Sequence, residues 1–216
     1  MRVHDDTIWK KLILADSETI QHHPSPSTAL CLLAVREDPH VLRYIRNQTD
    51  AICLAAVRED GMVLQYVHHQ TPEICLAAVQ EDGNGLQYVQ QQTTGICFAA
   101  VLQNGMALCY VLCQTPEICL AAVKEHGEAL KYVPVQDRDI CLAAVCENGL
   151  ALRHVIQQTE EICLLAVQED SRALQYVQQQ TEEICTKALE TDGSCLRYIV
   201  DDTLRRAFGR EMEHQG

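Results

Sequence analysis

Apolar positions recur along this chain in blocks of six. "ICLAAV" begins at Ile52, Ile74, Ile118 and Ile140, and variants begin at Leu30 (LCLLAV), Ile96 (ICFAAV), Ile162 (ICLLAV) and Ile184 (ICTKAL), always 22 residues apart. Between the blocks, polar stretches carry a second apolar set. A leucine ladder runs Leu42, Leu64, Leu86, Leu108, Leu130, Leu152, Leu174, Leu196, and two places after each stands Tyr44, Tyr66, Tyr88, Tyr110, Tyr132, His154, Tyr176 or Tyr198. Eight units therefore span Ser27 to Asp202. A fixed period of this length is the mark of stacked repeats, each burying its apolar face against its neighbours.

Within a unit the polar residues punctuate two helices. Three places before each block stands a side chain able to accept the free N–H groups of a first helical turn: Ser27, Thr49, Thr71, Thr93, Thr115, Asp137, Thr159 or Thr181. Pro72 and Pro116 follow at the first helical position, and Glu73, Glu117, Glu161 and Glu183 place negative charge where the helix dipole favours it. Gly61, Gly83, Gly105, Gly127, Gly149 and Gly193 are expected to end the first helix as C-terminal caps, with Pro39 and Ser171 in their place twice. At about 100° per residue the block is apolar nearly all round, which predicts a helix buried between neighbours on both sides. The Leu, Tyr and Val positions predict a shorter amphipathic second helix. The predicted fold is all-α, an α-solenoid of eight 22-residue two-helix repeats. Residues 1–26 read as a degenerate N-terminal capping repeat with Ile8 and Ile20 in register, and 203–216 as a C-terminal capping helix and tail, with Thr203 as its cap. A leucine-rich repeat shares the period, but the Ala-Ala-Val runs and the caps favour helix.

Cysteine forms a ladder of its own: Cys31, Cys53, Cys75, Cys97, Cys119, Cys141, Cys163 and Cys185. Stacked helices lie about 8–10 Å apart, whereas disulfide partners need Cα atoms within about 7 Å, and a line of thiols does not converge on a metal. The ladder reads as small, buried packing residues. Cys109 and Cys113, four apart, and Cys146 and Cys195 read as surface or half-buried thiols. Gln48, Gln70, Gln92, Gln114, Gln136, Gln158 and Gln180 form a third ladder, expected to bond backbone between units.

Composition narrows the function. Two Phe and one Trp leave a core of small side chains, and 30 acidic against 17 basic residues give a formal charge of −13. This argues against a nucleic-acid partner. No run is long enough to span a bilayer and none reads as a cleavable signal, so the chain is expected in the cytoplasm, or delivered to a host cytosol without one. No phosphate loop, HExxH or GxSxG occurs, so no catalytic residues, cofactor or metal ligands are assigned. A cysteine-dependent enzyme, with Cys109 or Cys113 near His126 or His154, and a metal-binding protein using the Cys109–Cys113 pair are the remaining alternatives.

Function is sought where the repeats disagree. Leu102, Met106, Cys109, Leu112 and Cys113 in the fourth unit replace residues that are mostly polar elsewhere, as do Pro134 and Val135 in the fifth and Cys146, Leu150 and Ile156 in the sixth. Stacking is expected to gather them into one apolar area that binds a protein partner or a second copy of the chain. Burial against the solenoid's own curvature, or drift, is the alternative. Glu37, Glu59, Glu81, Glu125, Glu147 and Glu169, with Asp38, Asp60, Asp82 and Asp170 beside them, form an acidic ridge open to a basic partner.

The unit "EICLAAVKEHGEALKYVPVQ", Glu117 to Gln136, resembles a short helical repeat known as a domain of unknown function, numbered forty-one-sixteen. The resemblance covers residues 27 to 202. It implies tandem helical arrays, frequent in protists and in bacteria that live inside them, and sometimes in proteins delivered to a host. The acidic tail "REMEHQG" is compatible with an export signal in such an effector. The family assigns no catalytic residues.

Overall fold

The computed structural model describes residues 6–215, with side chains for 6–210. Among these the chain is all α and 3-10 helix, with no strand. It divides into two compact units, Met1–Leu112 and Cys113–Gly216. In the first, ten-residue α-helices Asp6–Ala15, Thr28–Glu37, Asp50–Glu59, Pro72–Glu81 and Thr94–Gln103 stack in sequence order. In the second, Pro116–Glu125, Arg138–Glu147, Glu160–Glu169 and Glu182–Thr191 do the same, and Asp202–Gln215 follows. Each unit is a solenoid segment: α-helix packs on α-helix, and the intervening short helices pack on each other and on the next α-helix.

The caps stand where the sequence places them. Each of the eight predicted side chains accepts from the backbone N–H three residues on, as Thr71 Oγ1 does from Ile74 at 3.3 Å and Asp137 Oδ1 from Ile140 at 2.8 Å. At the C-terminal end the cap is Asp201, two residues before the expected Thr203, and its Oδ1 accepts from the N–H groups of Thr203 and Leu204. Near the N-terminus, Asp6–Ala15 and Ser17–His22 form the degenerate repeat. Asp16 caps its second helix, accepting from Glu18 N–H.

The second helix of each unit is a six-residue 3-10 helix, such as Gly61–Tyr66 or Ser171–Tyr176. In so short an element, i→i+3 bonding leaves fewer unpaired groups than an α-helix would. The residue linking the two helices serves both. Asp60 is extended (φ −152°), its N–H closes the α-helix on Ala56, and its carboxylate accepts from Met62 N–H at 2.8 Å. Asn104 and Asn148 accept in the same way at the same place, so charge is not required, and His126 holds the place with no side-chain bond to the 3-10 helix.

The glycines are not left-handed caps, since none has positive φ among the described residues. They open the 3-10 helix at the point where it meets the next α-helix. A Cβ on Gly61 would lie 2.2 Å from Ala78 O, and one on Gly149 would lie 2.4 Å from Ala166 O. Close approach selects glycine here, not dihedral freedom.

The α-helix is not buried on every side. The first, second, fifth and sixth residues of each block are buried, except the half-buried Leu189 that ends the last one; the Leu and first Ala positions face outward, with Leu76 37% and Phe98 38% exposed. Leu and Val of the 3-10 helix and the turn after it complete the core. Cys195 is fully buried and not a surface thiol, because its register mates are Val63, Gly85, Ala107, Ala151 and Ala173, an interior position.

Candidate binding surface

A polar ladder positions the turns between repeats. Gln158 donates from Nε2 to Leu152 O at 3.4 Å and to Tyr176 O, in the next repeat, at 2.9 Å. Its Oε1 accepts from Gln178 N–H at 2.9 Å and from the Cys163 thiol at 3.5 Å. Gln48 and Gln136 repeat the whole pattern. One side chain thus satisfies a buried 3-10 carbonyl, an amide of the following turn and a thiol, groups that are costly to bury unpaired. The cysteine recurs for two reasons: it fills a small interior site, and it donates to the glutamine. Burial, with Asp50 beside one and Glu160 beside the other, pushes Cys53 and Cys163 up to about 11. Such thiols are protonated and unreactive at neutral pH.

The acidic ridge is partly structural. Glu147 accepts from Gly127 N–H of the preceding unit, and Gln103 Oε1 accepts from Gly83 N–H at 2.6 Å while its Nε2 donates to Glu81 O. Asp170 is held below the ordinary carboxylate range chiefly by Arg172. Where Tyr gives way to His154, a local cluster forms. His154 Nε2 lies 3.1 Å from Glu128 Oε2, and Arg153 pairs with the same oxygen. Desolvation raises the Glu128 carboxyl, but Arg153 and His154 outweigh it and the net shift is downward.

The apolar substitutions fall at three kinds of position in a repeat. Leu102 and Cys146 lie in the last turn of an α-helix, both exposed. Met106 and Leu150 are half-buried at the start of a 3-10 helix, and Cys109 is exposed later in one. Leu112, Cys113, Val135 and Ile156 lie in the turns between repeats, with Leu112 and Val135 79% and Ile156 63% exposed. Cys113 is thus beyond the helix that carries Cys109. In the second unit, Pro134, Val135 and Ile156 line one groove of about 380 Å³ floored by Cys141 and Ile162, with Arg138 at its rim paired to Glu161. The groove takes in neither Cys146 nor Leu150.

Sequence reasoning missed the outward leucines. Leu32 and Leu54 line one shallow groove, and Leu164, Gln168, Thr186 and Lys187 line another of about 730 Å³ between Glu160–Glu169 and Glu182–Thr191. The signal was present, since Phe98 and Thr186 interrupt the leucine at that position while the Cys and second Ala positions never vary. Among the described residues no three His, Cys, Asp or Glu side chains gather as a metal site, and no helix is long and apolar enough to cross a membrane.

The profile of a family described as a domain of unknown function (DUF4116) matches residues 95–136, 115–159 and 137–182, in three overlapping placements about one unit apart. These tandem repeats resemble DUF4116. All ten substituted positions from Leu102 to Ile156 fall inside the DUF4116-like stretch, as does the Glu128–Arg153–His154 cluster. No curated protein and no solved structure matches the chain.

Proposed function

We propose that this chain is a non-enzymatic scaffold that binds a protein partner through the inter-repeat turns of its middle repeats, and that the partner offers an apolar segment flanked by basic side chains. The observation that carries this is the pair Val135 and Ile156, both largely exposed, on one groove with Pro134. Exposed branched side chains sharing a concave wall are a recurring feature of contact surfaces. The net charge of −13 favours a basic flank. Leu102, Met106, Cys109, Leu112, Cys113, Cys146 and Leu150 extend the candidate set, and the DUF4116 resemblance extends the proposal to a protein delivered into a host cell. Self-association through the same turns is the second reading, favoured by the same exposed pair.

A Val135→Glu, Ile156→Glu double variant tests it. Circular dichroism is expected unchanged, because neither side chain is in the core. The reading predicts loss of a captured partner, or loss of a concentration-dependent increase in mass by light scattering. A folded variant that keeps its partner and its mass dependence overturns it.

A further inference from the structure

The glutamine ladder stops one step short of the N-terminal end. Its register calls for glutamine at position 26, and Pro26 stands there. The proline ring has no carboxamide, yet the groups that would hold one are in place. The four that hold the Gln48 amide are Leu42 O, Tyr66 O, His68 N–H and the Cys53 thiol. One unit earlier they correspond to Ile20 O, Tyr44 O, Arg46 N–H and the Cys31 thiol. Pro26, Ile20, Tyr44, Arg46 and Cys31 all line a cavity of about 160 Å³.

Two other repeats lack this cavity lining. Grooves at the same register run past Gln136 and Gln158, but Leu130, His154, Leu152 and Tyr176, the equivalents of Ile20 and Tyr44, do not line them. There the glutamine carboxamide covers the carbonyls. At Pro26 no carboxamide covers them. Tyr44 O and Arg46 N–H meet no hydrogen-bond partner among the described residues, and Ile20 O receives His23 N–H at 3.0 Å with a lone pair to spare. Cys31 is buried with no glutamine to receive its thiol proton.

We propose that this cavity binds a primary carboxamide. The NH₂ donates to Tyr44 O and Ile20 O, and the amide oxygen accepts from Arg46 N–H and the Cys31 thiol. The donor and acceptor set is that of the ladder, so the specificity follows from the fold. A carboxylate brings no proton to the two carbonyls and sets negative charge against them. A tertiary amide likewise has nothing to donate. An ammonium cannot accept from Arg46. The volume is about that of cavities known to admit a six-carbon ring, which leaves room for the amide of a free small molecule or of a Gln or Asn side chain.

The test is an amide-resonance titration of the full ¹⁵N-labelled chain with acetamide, and with N-acetyl-glutamine N-methylamide as the peptide-borne form. Acetate and N,N-dimethylacetamide serve as controls. A saturable shift of the Arg46 amide with acetamide, absent with both controls, is expected. Response to acetamide but not to the glutamine derivative assigns the site to free amides; response to both admits a partner's side chain. In Pro26→Gln, which installs the residue seven other units carry, the Arg46 amide is expected to shift without ligand and to stop responding. Arg46→Pro removes the donor N–H at a place where Pro134 already stands in the fifth repeat, and binding is expected to be lost. An Arg46 amide that ignores acetamide, responds equally to all four probes, or still responds in Pro26→Gln overturns the proposal.

Discussion

Replacing Gln158 with alanine isolates the ladder from the apolar core. The change removes bonds to Tyr176 O and from Gln178 N–H, both at 2.9 Å, a longer one to Leu152 O, and the Cys163 thiol contact. Each of the two short bonds is worth about 1 kcal/mol net, and the longer amide bond and the thiol contact together add about as much again. Gln178 is exposed and Tyr176 half-buried, so water reaches the abandoned groups and the unpaired-group penalty stays near its lower end. The expected destabilisation is about 2–3 kcal/mol. Because long repeat arrays depart from two-state unfolding, the assay is local. Hydrogen exchange of the Gln178 amide and of the Ser171–Tyr176 helix is expected to accelerate, with a fall in the urea midpoint followed by circular dichroism. Gln158→Glu sharpens the reading. It keeps the acceptor but sets a carboxylate against Tyr176 O, so the new carboxyl titrates high in the folded chain. That contribution is present below the unfolded pKa of about 4.3 and is lost as pH rises through the folded value. The variant is therefore expected closest to wild type in acid and worst at neutral pH. A Gln158→Ala variant within about 0.5 kcal/mol of wild type, with Gln178 exchange unchanged, refutes the account.

Three further outcomes follow from the same geometry. Native protein treated with a thiol reagent is expected to lose Cys109, Cys113 and Cys146 rapidly, while the ladder thiols and Cys195 react only on unfolding; mass-mapped labelling of Cys53 or Cys163 in native buffer contradicts this. Gly61→Ala drives a methyl into Ala78 O and is expected to destabilise by about 1–3 kcal/mol in urea melts, whereas Gly95→Ala, whose Cβ meets nothing within 4 Å, is expected neutral to slightly stabilising. Glu128 has a depressed carboxyl in the folded chain, so its contribution is present above the unfolded pKa and lost as pH falls through the folded one. Glu128→Gln is expected to flatten that acid limb, measured as midpoint against pH.

Much of the fold was legible because a repeat states its own rules eight times. Hydrogen-bonding side chains at one register are read as caps, and Thr71 and Asp137 cap as the register requires. Cysteine at an apolar register is read as interior, and the ladder is buried. The candidate surface was less legible. Exposure of Leu112, Val135 and Ile156 followed from their polar register mates, but that Val135 and Ile156 share a groove without Cys146 or Leu150 did not, because spacing along one unit does not say which side of the stack a turn faces.

The sequence by itself determined the period, the helix starts and the interior cysteine ladder, since these depend on local hydrogen bonding and on which side chains leave water. Tertiary structure decided the rest. Gly61 looks like a helix terminator until the next helix is placed, when its missing Cβ proves to be the room that Ala78 O requires. Leu76 looks like core until only two neighbours and one underlying layer are available to cover a helix with four sides. Pro26 looks like a lapse in a worn repeat until Ile20 and Tyr44 are found lining one cavity with it. In each case the deciding quantity is the distance to an atom 17 or more residues away, or the open space between such atoms, and one-dimensional pattern carries neither.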